Sequence, residues 1–322
     1  MNRRAFLSSL SCTAALTAAA PARALSPAPY LITARRFQFK LRVPAELAGP
    51  AAAFARQVDL ASGGRLQVTP VNDASRPGGV HPAAEYEMQL GTLHALHNVH
   101  PAFAYAAGLP GGLGLPPSVI ATWLMGSGQT LWCGLQAESG ITCLIMPGSN
   151  TMPGLWSRAP IRDWSSITGR TLAANGLAMD VARGLGAVAV SGGGGHADMM
   201  DASVHYNQPK DCAFCAGHAL QRCPSLMAVM LPRAAWNSLD AGLQRCIADV
   251  ALACGPFPPG PAAAARMATL SPLPLSISRA IDRVSEAVVA TLSGHDQLSK
   301  RVNTQYFALH SRQLGSPRLI GC

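Results

Sequence analysis

The chain has 322 residues, a formal net charge of +9, 49% hydrophobic residues and 13% charged ones. That length supports one large domain or two modest domains with real cores. Its arginines are scattered and Lys40, Lys210 and Lys300 are its only lysines, so no clustered basic stripe for nucleic acid is present. Past the N-terminus no segment is apolar for long enough to cross a bilayer, which takes ~20 residues.

The first residues read as an export signal. Arg3 and Arg4 precede Ala5, Phe6 and Leu7, an uncharged apolar run extends from Leu10 to Ala20, and Ala22-Arg23-Ala24 offers a small-x-small cleavage site. Paired arginines before Phe-Leu point to the twin-arginine route. Residues 1–24 are therefore expected to be removed, leaving a mature chain that starts near Leu25 in the periplasm. Only three of the 25 basic side chains leave with them, against 16 acidic ones, so the mature chain stays basic.

In chain order, Phe37 to Val43 alternates apolar and polar like a strand, Pro50 to Ala61 has helical spacing, Gly63-Gly64 turns, and Leu66 to Val71 reads as a second strand. A helix is expected from Pro82 to Leu90 and a strand from His94 to Val99. Cys143 to Pro147 reads as a buried strand, Ile167 to Ala174 as a turn and strand, and Leu177 to Gly186 as a helix ended by glycine. Leu226 to Leu231 is apolar enough for a central strand. Pro232 suits the first residue of a helix, and Asp240 can cap a further one from Ala241 to Cys254. One more strand is expected from Leu273 to Ser278, then helices from Arg279 to about Leu292 and from His295 to His310. This alternation implies an α/β architecture.

Several of these segments carry a resemblance. Gly63-Gly64-Arg65-Leu66 before a strand, Trp123 with Gly126-Ser127-Gly128-Gln129 and Leu131-Trp132, Asn150-Thr151, Gly184-Leu185-Gly186-Ala187, and Arg233-Ala234-Ala235-Trp236 with Leu239 follow one another in an order and spacing that resemble the extracytoplasmic solute-binding subunits of tripartite ATP-independent periplasmic (TRAP) transporters. The resemblance runs from about Phe37 to Arg312. It implies a two-lobe, periplasmic-binding-protein-like α/β fold closing over a small organic anion, partnered by the transporter's membrane subunits, with no cofactor and no enzymatic activity. The lobes are expected at 36–148 with 231–254, and at 150–230 with 255–312, followed by a tail at 313–322.

The departures from that pattern concern the site. The family's strand after the glycine matching Gly169 carries an arginine that clamps the ligand carboxylate through paired hydrogen bonds, and Ala173 stands there. The glutamine and the Glu-Trp pair of metal-bridging members are replaced by Pro153-Gly154-Leu155 and Ser203-Val204-His205. Arg170 and Arg183 are the nearby cations that would have to substitute. Gly192 to Gly195 with His196 read as a deletion scar that shortens one cleft wall. Gly255, Pro256, Pro258, Pro259 and Pro261 exclude a continuous helix there.

His97, Asn150, Thr151, Trp156 and Asn175 are the expected ligand-binding residues, because ligands in open α/β sheets sit beyond the carboxyl ends of the strands. His94, His97 and His100 have spacing that would suit a helix, but on the expected strand they would alternate faces. Cys212, Cys215, His218 and Cys223 are an alternative constellation. They offer four zinc ligands for an exported metalloprotein, while Cys212 and Cys215, or either with Cys223, could instead form a disulfide in an oxidising compartment. A non-binding remnant of the scaffold is the third reading. No Gly-x-Ser-x-Gly, His-Glu-x-x-His or paired-carboxylate arrangement supports an enzyme.

Overall fold

The computed structural model describes residues 35–44, 47–72, 87–146, 154–191, 197–201, 212–216, 220, 226–254 and 271–315. Asn150, Thr151, His218, Cys223, the glycine run 192–195 and the proline-rich segment from Gly255 lie outside them.

Two five-stranded sheets organise the chain. In the first the order is β2 (Leu66–Asn72), β1 (Phe37–Val43), β3 (Glu87–Thr92), β10 (Met227–Pro232), β4 (Ile141–Met146). β1 runs parallel to β2 and β3, and β10 enters antiparallel between β3 and β4. That central place explains why β10 is an almost unbroken apolar run, since both of its faces are covered. Met227, Val229 and Leu231 join one core with Phe37, Phe39, Leu41 and helices α1 (Ala48–Ala61) and α7 (Ala241–Ala253). Ala228 and Met230 join the other, beneath α2 (Phe103–Ala107), α3 (Pro117–Met125) and α4 (Gln129–Glu138). α7 starts as the sequence implies: Asp240 Oδ1 accepts from the Leu243 backbone N–H at 3.0 Å. Pro232 is the last residue of β10 and immediately precedes α6 (Arg233–Asn237).

The second sheet has the order β7 (Val188–Ser191), β6 (Thr171–Ala174), β8 (Met199–Asp201), β5 (Leu155–Ser157), β9 (Phe214–Ala216). Leu155, Leu172, Ala174, Met199 and Ala216 face α5 (Leu177–Gly184) and α8 (Leu275–Leu292). α8 serves both lobes. Ile277, Ala280 and Ile281 pack under the second sheet, and Val289 and Leu292 pack under the first. α9 (Gln297–Gly315) adds Val302 and Tyr306 to the first-sheet core. β10 and α9 therefore pack with the first sheet, whereas the sequence division placed Met227–Met230 and 255–312 with the second.

Three expected elements differ. The helix over Pro82 to Leu90 is replaced, in its described part, by β3, where Met88 and Leu90 are buried and pair with β1 and β10. The strand over His94 to Val99 is a 3-10 segment, Leu93–Leu96, followed by a turn. Leu93 and His94 are consecutive and both buried, which no half-buried strand allows. The strand over Leu273 to Ser278 is instead the start of α8, whose buried Ile277, Ala280 and Ile281 follow helical spacing; only Ser271 makes an isolated bridge, to Ala216. No helix among the described residues is long and apolar enough to cross a membrane.

Candidate functional site

The face of the second sheet opposite α5 and α8 is built from one cross-strand row. Val190 pairs with Ala173, Ala173 with Met200, Met200 with Trp156, and Trp156 with Cys215. Residues paired directly across a sheet share a face, so these five side chains form a continuous line over all five strands. Cys212 and Ala197 complete the cluster. Met200 stands at its centre with the fully buried Ala173 on the adjacent strand, and the row carries no charge and no hydrogen-bond donor stronger than the Trp156 indole N–H.

Neither nearby arginine restores a cation there. Arg170 is exposed in the turn before β6. Arg183 is exposed on α5, on the other side of the sheet, where it donates to Asp180 at 2.6 Å.

Beyond the carboxyl ends of β3 and β6 the two lobes meet. Gly176, at φ +55°, follows Asn175 and lets the chain turn into α5 with its backbone against His94; a Cβ there would lie 3.3 Å from His94 Nδ1. Leu177 then buries itself in the first lobe's core. A cavity of about 430 Å³ opens beside this contact, lined by His97, Leu177, Asp180, Thr291 and His295 among others. Burial lowers the pKa of His94 to about 4, with help from the neighbouring His97 imidazole. Burial also lowers that of His97, opposed by Asp180 and the Pro101 carbonyl. His97 Nδ1 is buried with no hydrogen-bond partner.

The expected residues thus fall in two places. His97 lines the interlobe cavity and Asn175 sits at the end of β6 beside Gly176. Trp156 lies on the cross-strand row of the second sheet. His94, Asp180 and His295 were not singled out as site residues. The signal for His94 was its spacing from His97, because residues three apart eclipse one another on a 3-10 turn; the expected strand hid it.

A cluster of His100, His295 and Asp296 has ligand atoms within 4.8 Å of one another, but its hydrogen bonds describe a clasp. His100 Nδ1 accepts from the Ala102 backbone N–H at 3.1 Å. The neutral ring must then carry its proton on Nε2, which meets Asp296 Oδ2 at 2.8 Å. A cation on Nε2 would force the proton onto Nδ1, against the Ala102 N–H. Burial opposes ionisation of Asp296, but hydrogen bonds from Ser299 and His100 outweigh it and hold the carboxyl below the usual range. The cluster ties the turn after the 3-10 segment to the start of α9.

Of the cysteine constellation, Cys212 and Cys215 are described. Cys215 is a free thiol, so the local Cys212–Cys215 disulfide is not formed. Burial, and then Cys212, push its pKa up to about 12.

No protein-family model and no curated protein matches the sequence. Solved structures do match. A TRAP transporter solute-binding protein from Bordetella bronchiseptica RB50, with copurified calcium and picolinate, superposes with a TM-score of 0.74 at 15% identity, covering 88% of this chain and 94% of that one. The chain has the fold of the TRAP periplasmic solute-binding proteins. One from Pseudoalteromonas atlantica T6c with bound sodium and pyruvate gives 0.71 at 14% identity, covering 86% and 95%. One from Desulfovibrio desulfuricans with bound sn-glycerol-3-phosphate gives 0.66 at 13% identity, covering 88% and 100%. The two-lobe α/β architecture expected from the sequence is therefore the observed one.

Proposed function

We propose that this chain is an exported solute-binding protein that captures a small organic solute in the periplasm and delivers it to the membrane subunits of a TRAP-type transporter, without performing chemistry on it. The two-lobe fold and the small organic ligands of its structural neighbours support this reading. The residue pattern of the N-terminus supports export.

The observation that carries the choice of solute is Ala173, fully buried within an uncharged row. A carboxylate closed against that wall would lose its hydration and find no guanidinium in the described row, and an unpaired buried charge costs several kcal/mol. The solute class that fits is neutral, presenting hydroxyl or amide groups to Asn150, Thr151 and Asn175 and an apolar surface to Trp156. Native mass spectrometry of periplasmic protein tests this. A copurified small molecule without a carboxylate is the expected result. A retained pyruvate-like or picolinate-like acid would contradict the uncharged-wall argument, and protein that carries and accepts no small molecule would contradict the solute-binding role.

A further inference from the structure

α5 and α8 meet along a seam that leaves an open groove on the helical face of the second sheet. Gly184 sets their spacing, since a Cβ there would collide with Val284 on α8. The groove, of about 650 Å³, has a floor of Gly184, Ala280, Val284, Ala287 and Val288, joined by Trp164 from the 3-10 turn Trp164–Ser166. Asp180 and Thr291 line both this apolar groove and the polar interlobe cavity, so the two adjoin.

The shared end favours a cation. Arg183 donates to Oδ1 of Asp180, and a carboxylate accepts at both oxygens. That pair is exposed and screened by water, so a second donor displaces little. Thr291 donates its hydroxyl proton to the Val288 carbonyl, which leaves its oxygen to accept. Thr291 and Leu292 end α8, and no basic residue in its last turn offsets the negative end of the helix dipole. The positive end of α5 is already answered by Asp180 in its own first turn. Among the described residues no lysine or arginine lines the cavity, and burial disfavours a charge on His97. Arg283 lies at the other end of the groove, about two turns of α8 before Thr291.

We infer that groove and cavity together bind one small organic amine, with its ammonium group at Asp180 and Thr291 and an apolar or aromatic body along the seam beside Trp164. Spaces of this size suit a drug-sized molecule. Arg283 fixes the orientation, because a reversed ligand would set its ammonium against a guanidinium. The site lies on the opposite face of the second sheet from the Ala173 row, so it does not rest on the choice of a neutral solute there.

Isothermal titration calorimetry of the mature protein with 2-phenylethylamine at neutral pH tests the inference. One molecule should bind per chain. 2-Phenylethanol keeps the body without the charge and ethylamine keeps the charge without the body, and each should bind about tenfold or more weakly. Asp180→Asn should weaken the amine by a similar factor, while Asp249→Asn, an equal change of charge at an exposed position on α7, leaves it unchanged. Ala287→Phe serves if Asp180→Asn folds poorly, because Ala287 is exposed and the larger ring fills the groove. Equal affinity for 2-phenylethanol, unchanged binding in Asp180→Asn or Ala287→Phe, or no saturable binding of 2-phenylethylamine would overturn the inference.

Discussion

Acidification should destabilise this protein through His94, and the size of the effect follows from its surroundings. His94, on the 3-10 segment, is buried against Gly176, and its pKa falls from 6.5 to about 4, first because burial penalises the imidazolium and second because His97 stands beside it. Between those values the unfolded chain binds a proton that the folded chain refuses. Stability is therefore full above about pH 6.5 and is lost as pH falls towards 4. The complete shift is worth about 3 kcal/mol at 1.36 kcal/mol per unit, and about 2 kcal/mol of it should be gone at pH 5. Denaturant unfolding at pH 7.5 and pH 5 measures the difference. His94→Asn, which cannot titrate, removes this contribution, so its own loss between the two pH values should be smaller than the wild type's by about 2 kcal/mol. An equal pH-dependent loss in both proteins would refute the assignment and move the titration elsewhere, for instance to His97.

Gly176→Ala places a side chain at φ +55°, ψ −141° and 3.3 Å from His94; that sparsely populated backbone alone costs about 1–3 kcal/mol, so the variant should melt lower, and an unchanged melting temperature would mean the lobes do not meet there as described. Replacing Arg3 and Arg4 together by Lys should strand the precursor in the cytoplasm on cell fractionation, and a variant still trimmed near Ala24 would show the general secretory route instead. Phe54→Ala, at a fully buried position between α1 and the first sheet, should cost about 3–5 kcal/mol by denaturant titration; a cost under 1 kcal/mol would contradict that packing.

Local patterns carried the elements whose burial is simple. β1 shows its alternation because one of its faces is covered, β10 shows an apolar run because both are, and Asp240 marks α7 because a cap is a short-range device. Sequence periodicity failed where the context is tertiary. β3 reads as helical until β1 and β10 flank it, and the 3-10 segment after it is fixed by packing of Leu93 and Leu96 into a core shared with α4 and α9. α8 begins at Leu275, just after Pro274, where an apolar run of four residues is too short to tell strand from helix. At the site, Trp156 and His97 were legible one by one. Their separation was not, because it depends on which face of the second sheet each lobe covers. Asp180 joins His97 across more than eighty residues of chain, a relation no local spacing encodes.

The central claim is that a two-lobe solute-binding fold has exchanged its carboxylate clamp for an uncharged wall around Ala173. A thermal-shift panel on the mature protein, with succinate, malate and pyruvate set against neutral hydroxyl- and amide-bearing solutes, tests it most directly. A solute at 100 times its dissociation constant adds about 2.7 kcal/mol of stability, which is readily seen as a higher melting temperature. The account predicts such a shift from a neutral solute and none from the three acids. A clear shift with any of the acids that disappears in Arg170→Ala would contradict it, showing a clamp moved to Arg170.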